Sequence, residues 1–227
     1  MAKVYVVATP IGNLEDVTAR ALRVLGEVDL ILCEDTRTTK KLLDHYKISN
    51  KTESYNAHSS DAKHDHILDL LREGSDIAMV SDAGTPTISD PGVKIIELIN
   101  EAEDLDAEVV SVPGPSALVA ALSVAAMKGN EFTFLGFVPH KKGRETLFNE
   151  IAESSRVMVM YESVHRILKT LESLADVLQG DREVVVAREL TKMHEQVVRG
   201  TAAEVHKYFI EHSDKVKGEF VVIVEGK

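Results

Sequence analysis

The sequence predicts an α/β protein of two domains, and three features of its pattern carry that expectation. Short apolar runs alternate with helical spacings along the chain, as βαβ units around a mainly parallel sheet require. Several of those runs end abruptly in loops rich in Gly and Pro, at Thr9-Pro10-Ile11-Gly12, across Val80–Gly92 and at Pro113-Gly114-Pro115-Ser116. The polar stretch Met127-Lys128-Gly129-Asn130-Glu131 then interrupts the alternation, which starts again behind it. The expected organisation is an N-terminal α/β domain with a mainly parallel sheet at 1–127, a linker at 128–130, and a C-terminal α/β domain with a mixed sheet at 131–227.

The elements follow in order. Val4-Tyr5-Val6-Val7-Ala8 is almost wholly apolar, as expected of a strand buried on both faces. A helical pattern near 17–25 runs through Ala21, Leu22 and Leu25. Further strands read near 29–33, 76–80 and 107–112, with helices near 37–46, 63–73 and 93–103 and another from Ala117 to Ala126. The second half opens with a strand at 132–137 and a helix near 144–154. Strands at 156–161, 183–187, 194–199 and 219–225 follow, with helices near 164–178 and 201–212. No helix precedes Gln196-Val197-Val198-Arg199-Gly200, so the second sheet is expected to be mixed.

Composition sets outer bounds. The 227 residues suit one to two domains, 44% hydrophobic content suffices for a packed core, and 28% charged content is ordinary for a water-soluble chain. No apolar run nears the ~20 residues of a membrane span, and no charged segment followed by a long apolar one marks a secretory signal. Cys33 is the only cysteine, which rules out an internal disulfide and suits a reducing cytoplasm; it reads as a buried strand residue. A net charge of −11 argues against indiscriminate nucleic-acid binding and leaves room for a local basic patch. Glycine-rich nucleotide fingerprints and a G-x-S-x-G elbow are missing. His58, His64 and His66 with Asp61 and Asp65 read as the polar start of a helix rather than a metal site, since residues two apart point in different directions.

The segment from Val80 to Gly92 is the most informative. A strand that breaks into a loop of Gly, Pro and carboxylates before a helix is a binding loop of an open α/β sheet, whose ligands sit beyond the carboxyl ends of the strands. Gly84 and Gly92 permit close approach or positive φ, while Pro86 and Pro91 stiffen the loop. Its acidic rim repels phosphate and suits hydroxyl or ammonium partners. Any one such loop reads as an ordinary turn; together the three favour one shared site. Glu34-Asp35-Thr36-Arg37 reads either as a helix cap or as a functional cluster. His140-Lys141-Lys142-Gly143-Arg144 is the densest basic group, either a solvated loop or a grip on a phosphate backbone.

These motifs resemble the tetrapyrrole methylase superfamily. They are Ala8-Thr9-Pro10-Ile11-Gly12-Asn13-Leu14, Glu34-Asp35-Thr36-Arg37, Ser81–Pro86 with Ile88–Gly92, and Pro113–Ala117. Phe134–Phe137, Tyr161-Glu162-Ser163, His165-Arg166, Arg188–Lys192 and Lys217-Gly218-Glu219 continue the match, so it runs in order from residue 4 to about 226 and is similar to the small-subunit (16S) ribosomal RNA ribose 2′-O-methyltransferase branch. The resemblance implies two α/β domains with S-adenosylmethionine in a cleft between them, a homodimer, and methylation of a cytidine ribose in the decoding region of the small-subunit RNA. It carries cofactor contacts onto Pro10, Gly12, Ser81, Asp82, Ala83, Gly84, Thr85, Ser116, Ala117, Tyr161, Glu162 and Ala187. Glu34, Asp35 and Arg37 become catalytic candidates with Glu162 in reserve as the base, and Lys141, Lys142, Arg144, His165 and Arg166 become RNA contacts. A methylase of a tetrapyrrole or another small acceptor would share the cofactor site. Three positions depart from the family pattern: Thr87 replaces a usual Gly, Val164 a usual Pro, and Asn56-Ala57-His58-Ser59 a His-Glu-His-Asn-like segment.

Overall fold

The computed structural model describes residues 1–127, 130–178 and 180–227, which form two compact units, Met1–Ser116 and Ala117–Lys227. In the first unit the strands are β1 (Ala2–Val7), β2 (Leu30–Cys33), β3 (Thr52–Ser54), β4 (Ile77–Val80) and β5 (Ala107–Val112). They form one all-parallel sheet in the order β3-β2-β4-β1-β5. The helices between them are α1 (Ala19–Glu27), α2 (Thr36–His45), α3 (Asp61–Arg72) and α4 (Val93–Glu101). Strands β2 and β4 are buried along their whole length, which explains their continuous apolar runs. Helix starts are set by side-chain caps: Thr18 accepts the Ala21 N–H and Asp35 accepts the Arg37 N–H. Two apolar clusters fill the first unit, one around Leu30, Leu32, Ile67, Met79 and Ile95 and the other around Val7, Leu25, Ile31 and Val80.

Strand β3 has no counterpart in the sequence-based expectation. Thr52-Glu53-Ser54 is a short polar edge strand, paired only with β2, so it carries neither an apolar run nor an alternation.

The second unit contains α5 (Ala117–Val124), β6 (Phe132–Phe137), α6 (Arg144–Glu153), β7 (Val157–Ser163), α7 (Ile167–Val177), β8 (Glu183–Arg188), β9 (Gln196–Thr201), α8 (Ala202–Glu211) and β10 (Glu219–Val224). Its sheet runs β6-β7-β10-β8-β9, with β6–β7 parallel and the remaining pairs antiparallel. The expected mixed sheet follows from the β8–β9 hairpin and from β10 inserting between β7 and β8. Helix α8 opens on a capping box in which Thr201 and Glu204 exchange hydrogen bonds.

The unit boundary falls before α5, whereas the sequence places that helix in the first domain and ends the domain at 127. Ala121 and Ala125 pack with Val159, Val185, Val221 and Ile223, one face of the second sheet. An all-apolar helix does not announce which sheet it covers, so the correction comes from packing alone. Of the expected linker 128–130, Lys128 and Gly129 lie outside the described residues. Among the described residues no helix is long and apolar enough to cross a membrane.

Candidate active site

Parallel pairing brings the loops that follow β1, β2, β4 and β5 to one carboxyl edge of the first sheet. Because β1 lies between β4 and β5, the loop at Thr9–Gly12 is flanked by the other two Gly/Pro loops. The three are joined directly. Thr9 and Gly84 exchange backbone hydrogen bonds, Thr9 N–H to Gly84 O at 2.9 Å and Gly84 N–H to Thr9 O at 3.0 Å. Thr9 Oγ1 donates to Ser81 O (3.3 Å), and Thr85 Oγ1 donates to Pro115 O (3.2 Å). The three loops for which the sequence favours one shared site are therefore one bonded assembly.

Two glycines are required there. Gly84 has φ +84° at the bridge to Thr9, and Gly92 has φ +126° with space so tight that a Cβ would lie 2.7 Å from Met79 Sδ. Thr87 and Ser89 also take left-handed conformations, φ +74° and +66°, without being glycine. Thr87 thus occupies a position where the family's usual glycine would fit without strain.

Carboxylates from two of these loops, those after β2 and β4, converge. Asp82 Oδ1 accepts the Asp35 N–H at 3.1 Å, tying the β4 loop to the β2 loop. Burial raises the Glu34 carboxyl above its usual range, and the Asp82 charge adds to the effect. Asp82 is raised by burial as well. Asp90, hydrogen-bonded to Ser81, is pushed up to about 6 by burial, with Glu34 and Asp82 adding repulsion. Asp35 behaves oppositely: its hydrogen bond to the Arg37 side chain holds it down to about 2. The Asp35–Arg37 ion pair is 2.6 Å and Asp35 caps α2, so the structural reading of this motif is realised in full. It leaves Glu34, half-buried and raised, as the member of the set suited to accept a proton.

Other expected residues fall differently. Pro10 is half-buried and Gly12 exposed beside the Thr9 bridge; Ala83 is exposed, while Ser81 is buried with Oγ donating to Ala83 O at 3.3 Å. Ser116 ends the first unit and Ala117 begins α5. In the second unit the Tyr161 hydroxyl accepts the Leu118 N–H (3.2 Å), and its ring meets Phe134 and Phe137 edge-on. Ala187 is 1% exposed and lies in register with Val221 of β10 on one side and Val197 of β9 on the other.

Glu162 lies inside the second unit. Its side chain is fully enclosed: Oε1 accepts from the Ser163 N–H (2.7 Å) and Arg166 Nη2 (2.9 Å), and Oε2 accepts from Thr170 Oγ1 (2.6 Å). Both carboxylate oxygens are thus engaged in a buried network. Two of the expected RNA contacts belong to the same network. Arg166 Nη1 donates to Val138 O (2.6 Å), while Arg144 Nη2 donates to Thr170 Oγ1 (3.1 Å) with its guanidinium 4.7 Å over the Phe148 ring. Both arginines are internal struts. Lys141, Lys142 and His165 remain exposed.

Of the histidines, His64 Nε2 faces the Tyr55 hydroxyl at 3.2 Å and His66 Nε2 lies 3.6 Å from Glu53; among the described residues no group of His, Cys, Asp and Glu is arranged to hold a metal ion.

An all-parallel α/β unit with bonded loops at its carboxyl edge, and raised carboxylates beside a glycine bridge, defines an open-sheet α/β protein with an acidic candidate site at that edge. The chain belongs to the tetrapyrrole (corrin/porphyrin) methylases, whose family model matches residues 3–206. It is 46% identical over 227 residues to the Thermotoga maritima protein named ribosomal RNA small subunit methyltransferase I, covering 100% of both chains. The Vibrio cholerae protein of the same name is 47% identical over 223 residues, 98% of this chain and 76% of that one. Among solved structures the methyltransferase CobJ aligns with a TM-score of 0.72 at 18% identity, covering 100% of this chain and 95% of that one. A cobalt precorrin-4 methyltransferase aligns at 0.70 and 19%, covering 98% and 94%. At such identities these two establish the fold alone.

The methyl donor of this family is S-adenosylmethionine. The donor set at the first unit's carboxyl edge fits it. A ligand carrying an ammonium and a sulfonium relieves the mutual repulsion of Glu34, Asp82 and Asp90, which burial and proximity raise in its absence.

Proposed function

We propose that this protein methylates the ribose 2′-hydroxyl of a cytidine in the decoding region of small-subunit ribosomal RNA. The observation that carries the reading is the 46% identity, end to end, with a relative named for small-subunit ribosomal RNA methylation. S-adenosylmethionine, when bound, supplies an electrophilic methyl carbon on a sulfonium. In this proposal Asp82 holds a polar group of the cofactor, the backbone around Pro10, Gly12 and Ala83–Thr85 walls it, and Ser116, Ala117 and Tyr161 add contacts. Glu34 accepts the ribose hydroxyl proton as the new O–C bond forms and the C–S bond breaks. Arg37 holds Asp35 and, through it, the loop that carries Glu34. The protein acts as a homodimer in the cytoplasm.

Mapping 2′-O-methyl groups on small-subunit RNA from a strain lacking this protein tests the reading. One cytidine of the decoding region should lose its methyl group and regain it on complementation. An unchanged map, or a wild-type enzyme that methylates a tetrapyrrole and no RNA, would overturn it.

A further inference from the structure

The second sheet brings five chain segments to one edge. Phe137, the last residue of β6, lies opposite Tyr161; Ser163 at the end of β7 pairs with Glu219 at the start of β10; Arg188 at the end of β8 pairs with both Phe220 and Gln196. The loops 138–143, 164–166, 189–195 and 217–218 therefore line the same edge, about 19 Å across at the usual strand spacing. Three of the carboxylates on this edge are held in ion pairs. Glu162 is paired with Arg166, and Lys192 Nζ bridges Glu189 (2.9 Å) and Glu219 (2.7 Å). Glu195 accepts the Thr191 N–H. Lys141, Lys142 and Lys217 are exposed and make no ion pair among the described residues. A chain of net charge −11 thus keeps unneutralised cations along one edge.

The far end of that edge is rigidly built. Arg188 is buried, and its guanidinium splints two loops at once, Nε donating to Lys217 O (2.9 Å) and Nη1 to His194 O (3.1 Å). Between them Glu189 and Thr191 hold left-handed φ values of +50° and +66°, conformations that non-glycine residues adopt only where the surroundings impose them. Held at the tip of this strained loop is Met193, 93% exposed. An apolar side chain so presented beside Lys217 is placed to pack on a surface rather than in a core.

We infer that the RNA acceptor crosses this whole edge, from Lys141 and Lys142 after β6, past Lys217 at the middle strand β10, to the β8–β9 loop, where Met193 packs against an unstacked base or sugar. The inference rests on the RNA reading above and assigns it two further contacts. Lys217 neutralises a phosphate, and each such contact adds to the salt dependence of binding. Met193 carries no charge and adds affinity without salt dependence.

Binding of an unmodified transcript of the small-subunit RNA, measured against salt concentration, separates the possibilities, with cofactor affinity confirming that each variant is folded. Lys217→Gln should lower the salt slope by about one and weaken binding, and Met193→Ala should weaken binding at an unchanged slope. If both bind as the wild type does while the Lys141→Gln/Lys142→Gln variant loses slope, the acceptor does not reach this end and the inference fails with the RNA reading intact. If the wild type itself shows no salt-dependent affinity for the transcript, the RNA reading fails.

Discussion

The Asp35 backbone N–H donates to the Asp82 carboxylate at 3.1 Å, although the two residues lie on separate crossovers of the first sheet. The same loop places Glu34 beside Asp82, so the group proposed to receive the proton and the group proposed to hold the cofactor share one electrostatic environment.

Asp82→Ala should lower S-adenosylmethionine affinity by about 10- to 150-fold, the loss of a charge-assisted hydrogen bond worth about 1.5–3 kcal/mol. Asp82→Asn retains an acceptor for the Asp35 N–H and isolates the effect of charge. Calorimetry on both variants, with an unfolding curve for each, checks the outcome; unchanged affinity in folded protein removes Asp82 from the site.

Glu34→Gln should reduce turnover by about 10²–10⁴-fold, the usual contribution of a general base, with cofactor affinity nearly intact. Asp35→Asn should cost less, because a carboxyl held down to about 2 is already a weak base and its work is to cap α2 and pair Arg37. In the wild type, turnover should fall as pH drops through the raised pKa of Glu34. A pH profile of single-turnover rates on isolated small subunits decides between the two carboxylates.

Asp90 links stability to pH. Its folded-state value of about 6 lies above the ordinary 3.8, so the unfolded chain releases this proton first as pH rises. The resulting stability is fully present below about 4 and is lost as pH climbs to about 6. Asp90→Asn should therefore raise the Tm at pH 7.5, and the gain should shrink at pH 4.5. A gain of equal size at both values would point to packing rather than ionisation.

Thr87→Gly should stabilise the protein by about 1 kcal/mol, since a β-branched residue at φ +74° carries left-handed strain that glycine lacks, partly offset by glycine's greater freedom when unfolded. Denaturant titration measures it. Destabilisation by the same change would mean that the threonine side chain makes a contact worth more than the strain.

Much of this molecule is determined by local sequence. The apolar runs at Val4–Ala8 and Ile77–Val80, the caps at Thr18 and Asp35, and the Gly/Pro loops at the strand ends follow from hydrophobic period and backbone chemistry within a few residues. Those signals place the loops on one carboxyl edge before any coordinate is known. They do not show what each side chain spends its charge on. Glu162, Arg144 and Arg166 look like site residues because each is polar and near a strand end, yet Thr170, four residues into α7, draws them into a buried network. Likewise Ala117–Val124 is apolar on every side, so only packing against Val159, Val185 and Val221 assigns it to the second unit. Local period and backbone preference act along the chain and can be read from it. Pairing of charges and choice of packing partner act across it, between residues whose proximity exists only once the chain has folded.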